Sequence, residues 1–213
     1  MPLTSRMRQT GMTLVELMVA MSMGLVVILA ATTLFSATVG ASSISARMTV
    51  LRSDLNIVAN MITSDLRRAG YTANATDAFG KVACTSDYET NCPFAFKASR
   101  DITSSCVVAR MDSNDNGTLD VNKDEVRGYL FNNQMVHFVT SWNGAPGCSA
   151  VNTKEAMALP DDLTVNALTF TYQSGATGTG IRSVRVSISG YNGRTPELKM
   201  TISQEVRLRN DDI

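Results

Sequence analysis

Two features near the ends of the soluble and apolar parts of this chain are of residue types that do chemistry. The first is a lone carboxylate, Glu16, at the head of an apolar run: Arg6 and Arg8 precede it, and after it no charged residue occurs until Arg47. A carboxylate so placed is costly in an apolar medium and normally has a partner. A cut between Gly11 and Met12 would create one, because the new α-amine would lie four residues ahead of Glu16 on the same helix. It could pair with Glu16 of its own chain or, in a packed assembly, of a neighbour. The second feature is the set of four cysteines, Cys84, Cys92, Cys106 and Cys148, all beyond the apolar run. None forms a CxxC pair and His137 is the only histidine, which argues against structural zinc. Export into an oxidising compartment favours disulfides. Three connectivities exist; the preferred one is Cys84–Cys92, closing a short loop, with Cys106–Cys148 tying a strand to the loop at residues 142–148.

A third candidate is a cation site. Asp112-Ser113-Asn114-Asp115-Asn116-Gly117-Thr118-Leu119-Asp120 matches the first nine positions of an EF-hand-like calcium loop. Hard oxygen ligands alternate at Asp112, Asn114, Asn116, the Thr118 carbonyl and Asp120, and Gly117 supplies the sharp turn. The twelfth position, normally a bidentate Glu, is Lys123; Asp124 and Glu125 come one and two residues late, and the flanks read as strands. The competing reading is an Asx-rich hairpin turn, built from the residues turns use anyway. Elsewhere the chemistry is bland. His137 alternates within a strand between Val136 and Phe138, as a structural histidine does. The Gly175–Gly180 segment lacks the third glycine of a dinucleotide fingerprint and leads into a strand, so it reads as a loop. No nucleophile elbow and no catalytic pair of carboxylates can be singled out. The expectation is a protein that is not an enzyme, with no certain cofactor and calcium as the one possibility.

The elements that must position these residues follow from pattern. The chain has 213 residues, no formal net charge and 44% hydrophobic residues, enough for one membrane segment and one modest soluble domain. Nothing basic enough to announce nucleic-acid binding stands out. The apolar run of roughly 30 residues exceeds the ~20 that a helix needs to cross a bilayer, and its basic flank keeps residues 1–11 in the cytoplasm. Ala30-Ala31-Thr32 or Ser36-Ala37-Thr38 could imitate a signal-peptide cleavage site. Beyond the run the helix pattern turns amphipathic: Ile44, Met48, Leu51, Leu55, Val58, Ile62 and Leu66 form one stripe, with Arg52, Asn56, Asn60, Ser64 and Arg67 mostly opposite. No proline occurs between Met12 and Gly70. Arg67 and Arg68 suit a helix C-terminus and Gly70 a C′ position, so one helix from 12 to 69, on the order of 85 Å long at 1.5 Å per residue, is predicted. Residues 72–104 read as an ordered loop region. Strands are predicted at 106–111, 125–131, 134–140, 164–173, 181–189 and 198–209, with Val184, Val186 and Ile188 on one face and a tight turn at Asn132-Asn133.

Gly11-Met12-Thr13-Leu14-Val15-Glu16-Leu17, with the basic leader and apolar helix around it, resembles the class III signal of type IV prepilins. In that family a membrane peptidase cuts after the glycine and methylates the new N-terminus. The resemblance assigns the cut to Gly11–Met12 and the pilin glutamate to Glu16. Many members have Phe where this chain has Met12. Many major pilins also carry a proline in the membrane half of the helix, where this chain has Thr32 and Thr33, with Gly24 and Gly40 as its weakest helix formers; that points away from a major subunit. Leu51-Arg52-Ser53-Asp54-Leu55, Asp65-Leu66-Arg67-Arg68-Ala69-Gly70-Tyr71 and the closing 205–210 resemble the PilW-type minor pilins, relatives of the J-type minor pseudopilins of type II secretion.

The resemblance implies an α+β pilin fold: a long N-terminal helix, membrane-spanning in its first half, packed on an antiparallel β-sheet head. The domains are a cleaved leader at 1–11, a transmembrane or filament-core half-helix at 12–40, an amphipathic half at 41–70 and a head at 71–213. It implies residence in the inner membrane with the head in the periplasm, then at the pilus tip. Implied partners are other minor pilins, the major pilin, the prepilin peptidase, the inner-membrane assembly platform and a large tip adhesin. The implied function is priming of pilus assembly in support of twitching motility, adhesion or DNA uptake. Two alternatives stand beside it, a J-type pseudopilin and an anchored periplasmic binding domain that never polymerises. Mature protein should begin with N-methylated Met12, and Gly11→Val should leave the precursor uncut. Mass spectrometry of the N-terminus reads both; mature protein from Gly11→Val cells would sink the prepilin assignment.

Overall fold

The computed structural model describes residues 11–73, 94–121, 124–174 and 182–208. Its first element is a 55-residue helix, α1 (Leu14–Arg68). The start is set by Thr13, whose Oγ1 accepts the N–H of Glu16 at 3.3 Å while its carbonyl accepts that of Leu17 at 3.2 Å. Thr-x-x-Glu is the spacing of a capping box, and Glu16 also lies in the first turn, where the helix dipole favours negative charge.

Two compact units divide the chain, the first ending at Arg47 and the second starting at Met48. Among its described residues the first holds the apolar part of α1, whose large side chains are exposed, among them Leu25, Ile28, Leu34 and Phe35. Hydroxyls in this stretch bond back to carbonyls of their own helix: Ser22 to Val19, Thr32 to Leu29, Thr33 to Ala30, Thr38 to Leu34 and Ser43 to Gly40, all at 2.8–2.9 Å. Polar groups satisfied in this way are what an apolar medium demands. Among the described residues this is the one helix long and apolar enough to cross a membrane.

In the second unit α1 buries Leu51, Leu55, Val58, Ala59, Ile62 and Leu66 at the spacing of one helix face. The stripe begins at half-buried Met48; Ile44, predicted to belong to it, is exposed. The helix stops where its geometry changes hand: Gly70 adopts φ 81°, and its N–H donates to the Arg110 carbonyl at 2.8 Å.

Against this half-helix lie two antiparallel sheets. One has the order β1-β2-β3-β4, with β1 (Cys106–Arg110), β2 (Val126–Asn132), β3 (Met135–Trp142) and β4 (Val151–Ala156). The other has the order β5-β6-β7, with β5 (Leu163–Gln173), β6 (Ser183–Asn192) and β7 (Thr195–Arg207). A one-turn helix, α2 (Ala98–Asp101), precedes β1. Val184, Val186 and Ile188 are fully buried, as alternation requires, and join the helix stripe in one core. On the outer face hydroxyls pair across β6 and β7, Ser187 with Ser203 and Ser189 with Thr201. The backbone of Gly190 comes close to α1: a Cβ there would sit 3.0 Å from Leu55 Cδ2 and 2.9 Å from the Thr164 carbonyl oxygen.

Polar contacts index the helix on each sheet. Buried Asp65 accepts from Tyr129 Oη at 2.6 Å and pairs with Arg127 at 3.3 Å on β2. Burial first, and then that hydrogen bond, push the Tyr129 phenol well above its ordinary value. Towards β7, Gln204 Nε2 donates to Asn60 Oδ1 at 3.0 Å and Thr63 Oγ1 donates to Gln204 Oε1 at 3.2 Å.

The architecture is the α+β layout expected, with local differences. The β2–β3 turn falls at Asn133-Gln134, one residue later than predicted; both have positive φ, 51° and 59°, the geometry of a two-residue turn whose twist matches the strands. Strand β4 and helix α2 were not predicted. Ile62→Ala should destabilise the folded head by about 2–5 kcal/mol, the usual cost of deleting a buried aliphatic group. Ile57→Ala, on the exposed side of the same helix, should change it by no more than about 0.5 kcal/mol. Urea unfolding of the full chain in detergent, followed by the fluorescence of Trp142, compares the two.

Candidate functional site

The residues named from sequence fall in three places. At the start of α1, Gly11 and Met12 are exposed and lead into the Thr13 cap, and Glu16 follows on an exposed surface made of Val15, Leu17, Met18 and Val19. A carboxylate on an all-apolar face is a fixed point of charge that any apolar packing of this segment must accommodate. Sequence reading identified Glu16 by its isolation; the Thr13 cap it overlooked was legible in the Thr-x-x-Glu spacing.

The second place is the loop joining β1 and β2. Buried Asp112 accepts three backbone N–H groups, from Asn116 to Oδ1 at 3.1 Å and from Gly117 and Ala73 to Oδ2 at 2.9 and 3.0 Å. Asn114 Oδ1 accepts Asn116 N, and Asn116 Oδ1 accepts Thr118 N. The amide nitrogens of Asn114 and Asn116 both donate to Asp120 Oδ2, at 3.2 and 3.3 Å. Asp115 and Gly117 have positive φ, 60° and 74°. The loop therefore brings Asn114, Asn116 and Asp120 together, with Asp112 beneath them. Among the described residues no three acidic, histidine or cysteine side chains gather as a metal-ligand set. Tyr71 Oη donates to Asp115 Oδ1 at 3.0 Å, which raises the phenol above its ordinary value. A cavity of ≈ 640 Å³ beside the end of α1 is lined by Arg67, Arg68, Tyr71, Asp112 and Asp115. Lys123 lies outside the described residues.

The third place is a disulfide between Cys106 at the start of β1 and Cys148, with Cα atoms 5.8 Å apart. Around it the Cys148 N–H donates to the Arg100 carbonyl at 2.9 Å, and Arg100 pairs with buried Asp101 at 2.7 Å. Buried Arg110 lies 3.6 Å from the same carboxylate and donates to the Pro146 carbonyl. Gly147 has no room for a side chain, since a Cβ would meet Arg100 Cγ at 2.9 Å. Cys84 and Cys92 lie outside the described residues. His137, half-buried on β3, places Nδ1 3.2 Å from the Met135 carbonyl oxygen.

Comparison with known families bears on the first place and on the head together. The family model of prepilin peptidase-dependent protein B matches residues 45–208. The chain belongs to that family. The prokaryotic N-terminal methylation motif matches residues 6–32, over Gly11, Met12 and Glu16. No curated protein and no solved structure matches significantly. A prepilin peptidase-dependent protein with this motif and this apolar helix is a type IV pilin-like protein, anchored in a membrane and associated with pilus assembly.

The disulfide makes the stability of this prepilin peptidase-dependent protein redox-sensitive. Peptide mapping without reductant should recover Cys106 linked to Cys148. Cys148→Ser should lower stability by about 2–5 kcal/mol, measured by denaturant unfolding. A peptide joining either cysteine to Cys84 or Cys92 would refute the pairing.

Proposed function

We propose that this chain is a PilW-type minor pilin that primes type IV pilus assembly and becomes part of the tip complex. The single observation that carries the reading is a coincidence: the methylation motif covers the stretch where α1 is capped, exposed, apolar and marked by one carboxylate. The absence of proline from the whole helix supports a minor subunit over a major one. Its role is architectural rather than catalytic. Before assembly it sits in the inner membrane with its head in the periplasm; afterwards it sits at the tip. Other minor pilins, the major pilin, the prepilin peptidase, the assembly platform and a tip adhesin are its partners, and twitching motility, adhesion or DNA uptake is what the pilus serves.

The role of Glu16 is to meet the methylated α-amine of an adjoining subunit. Glu16→Ala should be cut after Gly11 as usual yet enter pili poorly, since removing one member of a buried pair costs roughly 3–5 kcal/mol. Immunoblots of sheared pili against whole cells measure this. Full incorporation of Glu16→Ala would deny Glu16 an assembly role. Normal piliation with lost enzyme secretion in a deletion strain would replace the pilus reading with a J-type pseudopilin.

A further inference from the structure

We propose that Asn143 is a site of spontaneous deamidation, converted without an enzyme to aspartate and isoaspartate. The reaction is internal to the chain. The main-chain nitrogen of the next residue gives up its proton to solvent and attacks the Asn Cγ. The bond from Cγ to Nδ2 breaks, ammonia leaves with a proton from water, and a cyclic imide remains. Water then opens the imide at either carbonyl, giving an ordinary aspartate or an isoaspartate whose main chain runs through the side chain. Only water is consumed. Glycine at the following position favours the attack, because no side chain crowds its nitrogen.

Three Asn-Gly pairs occur in the chain, Asn116-Gly117, Asn143-Gly144 and Asn192-Gly193, and the fold treats them differently. The attacking nitrogen of Gly117 donates to Asp112 Oδ2 at 2.9 Å, and that of Gly193 to the Asp162 carbonyl at 2.8 Å. The side chains under attack are held as well. Asn116 Oδ1 accepts the N–H and the hydroxyl of Thr118, and its Nδ2 donates to Asp120. Asn192 is buried, and its Oδ1 accepts from Arg194 N, Thr195 N and Thr195 Oγ1. Bringing nitrogen and Cγ together in either pair requires such bonds to break first, each slowing the reaction by up to about tenfold.

The pair at 143–144 carries no such lock. Among the described residues neither the Gly144 nitrogen nor the Asn143 side chain has a hydrogen-bond partner. Gly144 has φ 86°, and a Cβ built there would meet nothing within 4 Å, so the space around it is open. Exposure alone does not single the pair out, since Asn116 is exposed too; the hydrogen bonds do. The place also gives the change a consequence. Asn143 follows β3 directly, and its own N–H donates to the Ala150 carbonyl at 2.7 Å. Just beyond Gly144 lie Pro146, whose carbonyl receives Arg110, and Cys148 of the disulfide. Either product adds a carboxylate to this turn, and isoaspartate also adds a methylene to the main chain between these anchored points. Because the reaction needs no partner, the modified fraction rises with the age of the molecule.

The test follows full-length protein in detergent through storage in warm, mildly alkaline buffer, with samples quenched in acid and mapped by mass spectrometry. The peptide holding Asn143 should gain both acid forms at least about tenfold faster than the peptides holding Asn116 and Asn192. Its rate should rise with pH, because the nitrogen attacks only after losing its proton. In urea, where the protecting hydrogen bonds are gone, the three sites should convert at similar rates; that arm separates protection by the fold from an effect of sequence neighbours. Asn143→Gln should remove most of the early labelling of folded protein by an isoaspartate methyltransferase. Folded protein in which Asn143 keeps its amide while the unfolded chain converts would overturn the proposal. So would equal conversion of all three sites before unfolding, or an Asn143 lead that persists undiminished in urea.

Discussion

Everything in this chain depends on one helix remaining unbroken while its surroundings change. Backbone amides cannot be left unpaired in an apolar medium, and α1 meets that condition without help from any other element: no proline interrupts it, and its hydroxyls bond back to its own carbonyls. The backbone is the same on both sides of Met48; only the side-chain pattern differs. Ahead of it the large apolar residues are exposed all round the helix; beyond it apolar residues narrow to the face that meets the sheets. Glu16 is the one carboxylate in the first part, and Thr13 and Asp65 place their polar groups where a backbone terminus or a partner on a sheet receives them.

An apolar stripe alone specifies which face is buried but not its rotation or sliding position. In the head those are set by Asp65 on Tyr129 and Arg127 and by Asn60 and Thr63 on Gln204. A buried carboxylate contributes little net stability on average, and its better attested use is to fix register. Here the two sets of contacts lie on different sheets, so a helix displaced by one turn would leave both unsatisfied. Gly190 reinforces the same setting sterically, because a Cβ there would press on Leu55 Cδ2 at 3.0 Å and on the Thr164 carbonyl oxygen at 2.9 Å.

Much of this was legible before any coordinates. Length, apolarity and absence of proline made α1 readable, and strict alternation made β6 readable at Val184, Val186 and Ile188. Strand β4 was not, because Val151-Asn152-Thr153-Lys154-Glu155-Ala156 is an edge strand with no buried residue. Edges are kept polar to discourage pairing with other chains, which erases the signal sequence reading relies on. Ile44 follows the spacing of the stripe yet lies ahead of the unit that buries it, since periodicity does not report where the partner surface ends. The Asp112–Asp120 run was readable as a pattern, whereas the burial of Glu125 required the β1–β2 register, which only tertiary structure supplies.

The exit of α1 into the head has a mechanical consequence. Directly after the helix, Gly70 N bonds to Arg110 O and Asp112 N to Tyr71 O, at 2.8 and 2.9 Å, so the chain leaves the helix already stitched to the extension of β1. Tension applied along α1 meets the buried rows from Leu51 to Leu66 in shear, where all must slip together, before it can peel that stitch. What lies behind the stitch is the strand anchored at its far end by the Cys106–Cys148 crosslink. A force that did free the helix would therefore reach a covalently closed segment next, and the first sheet would keep its strand.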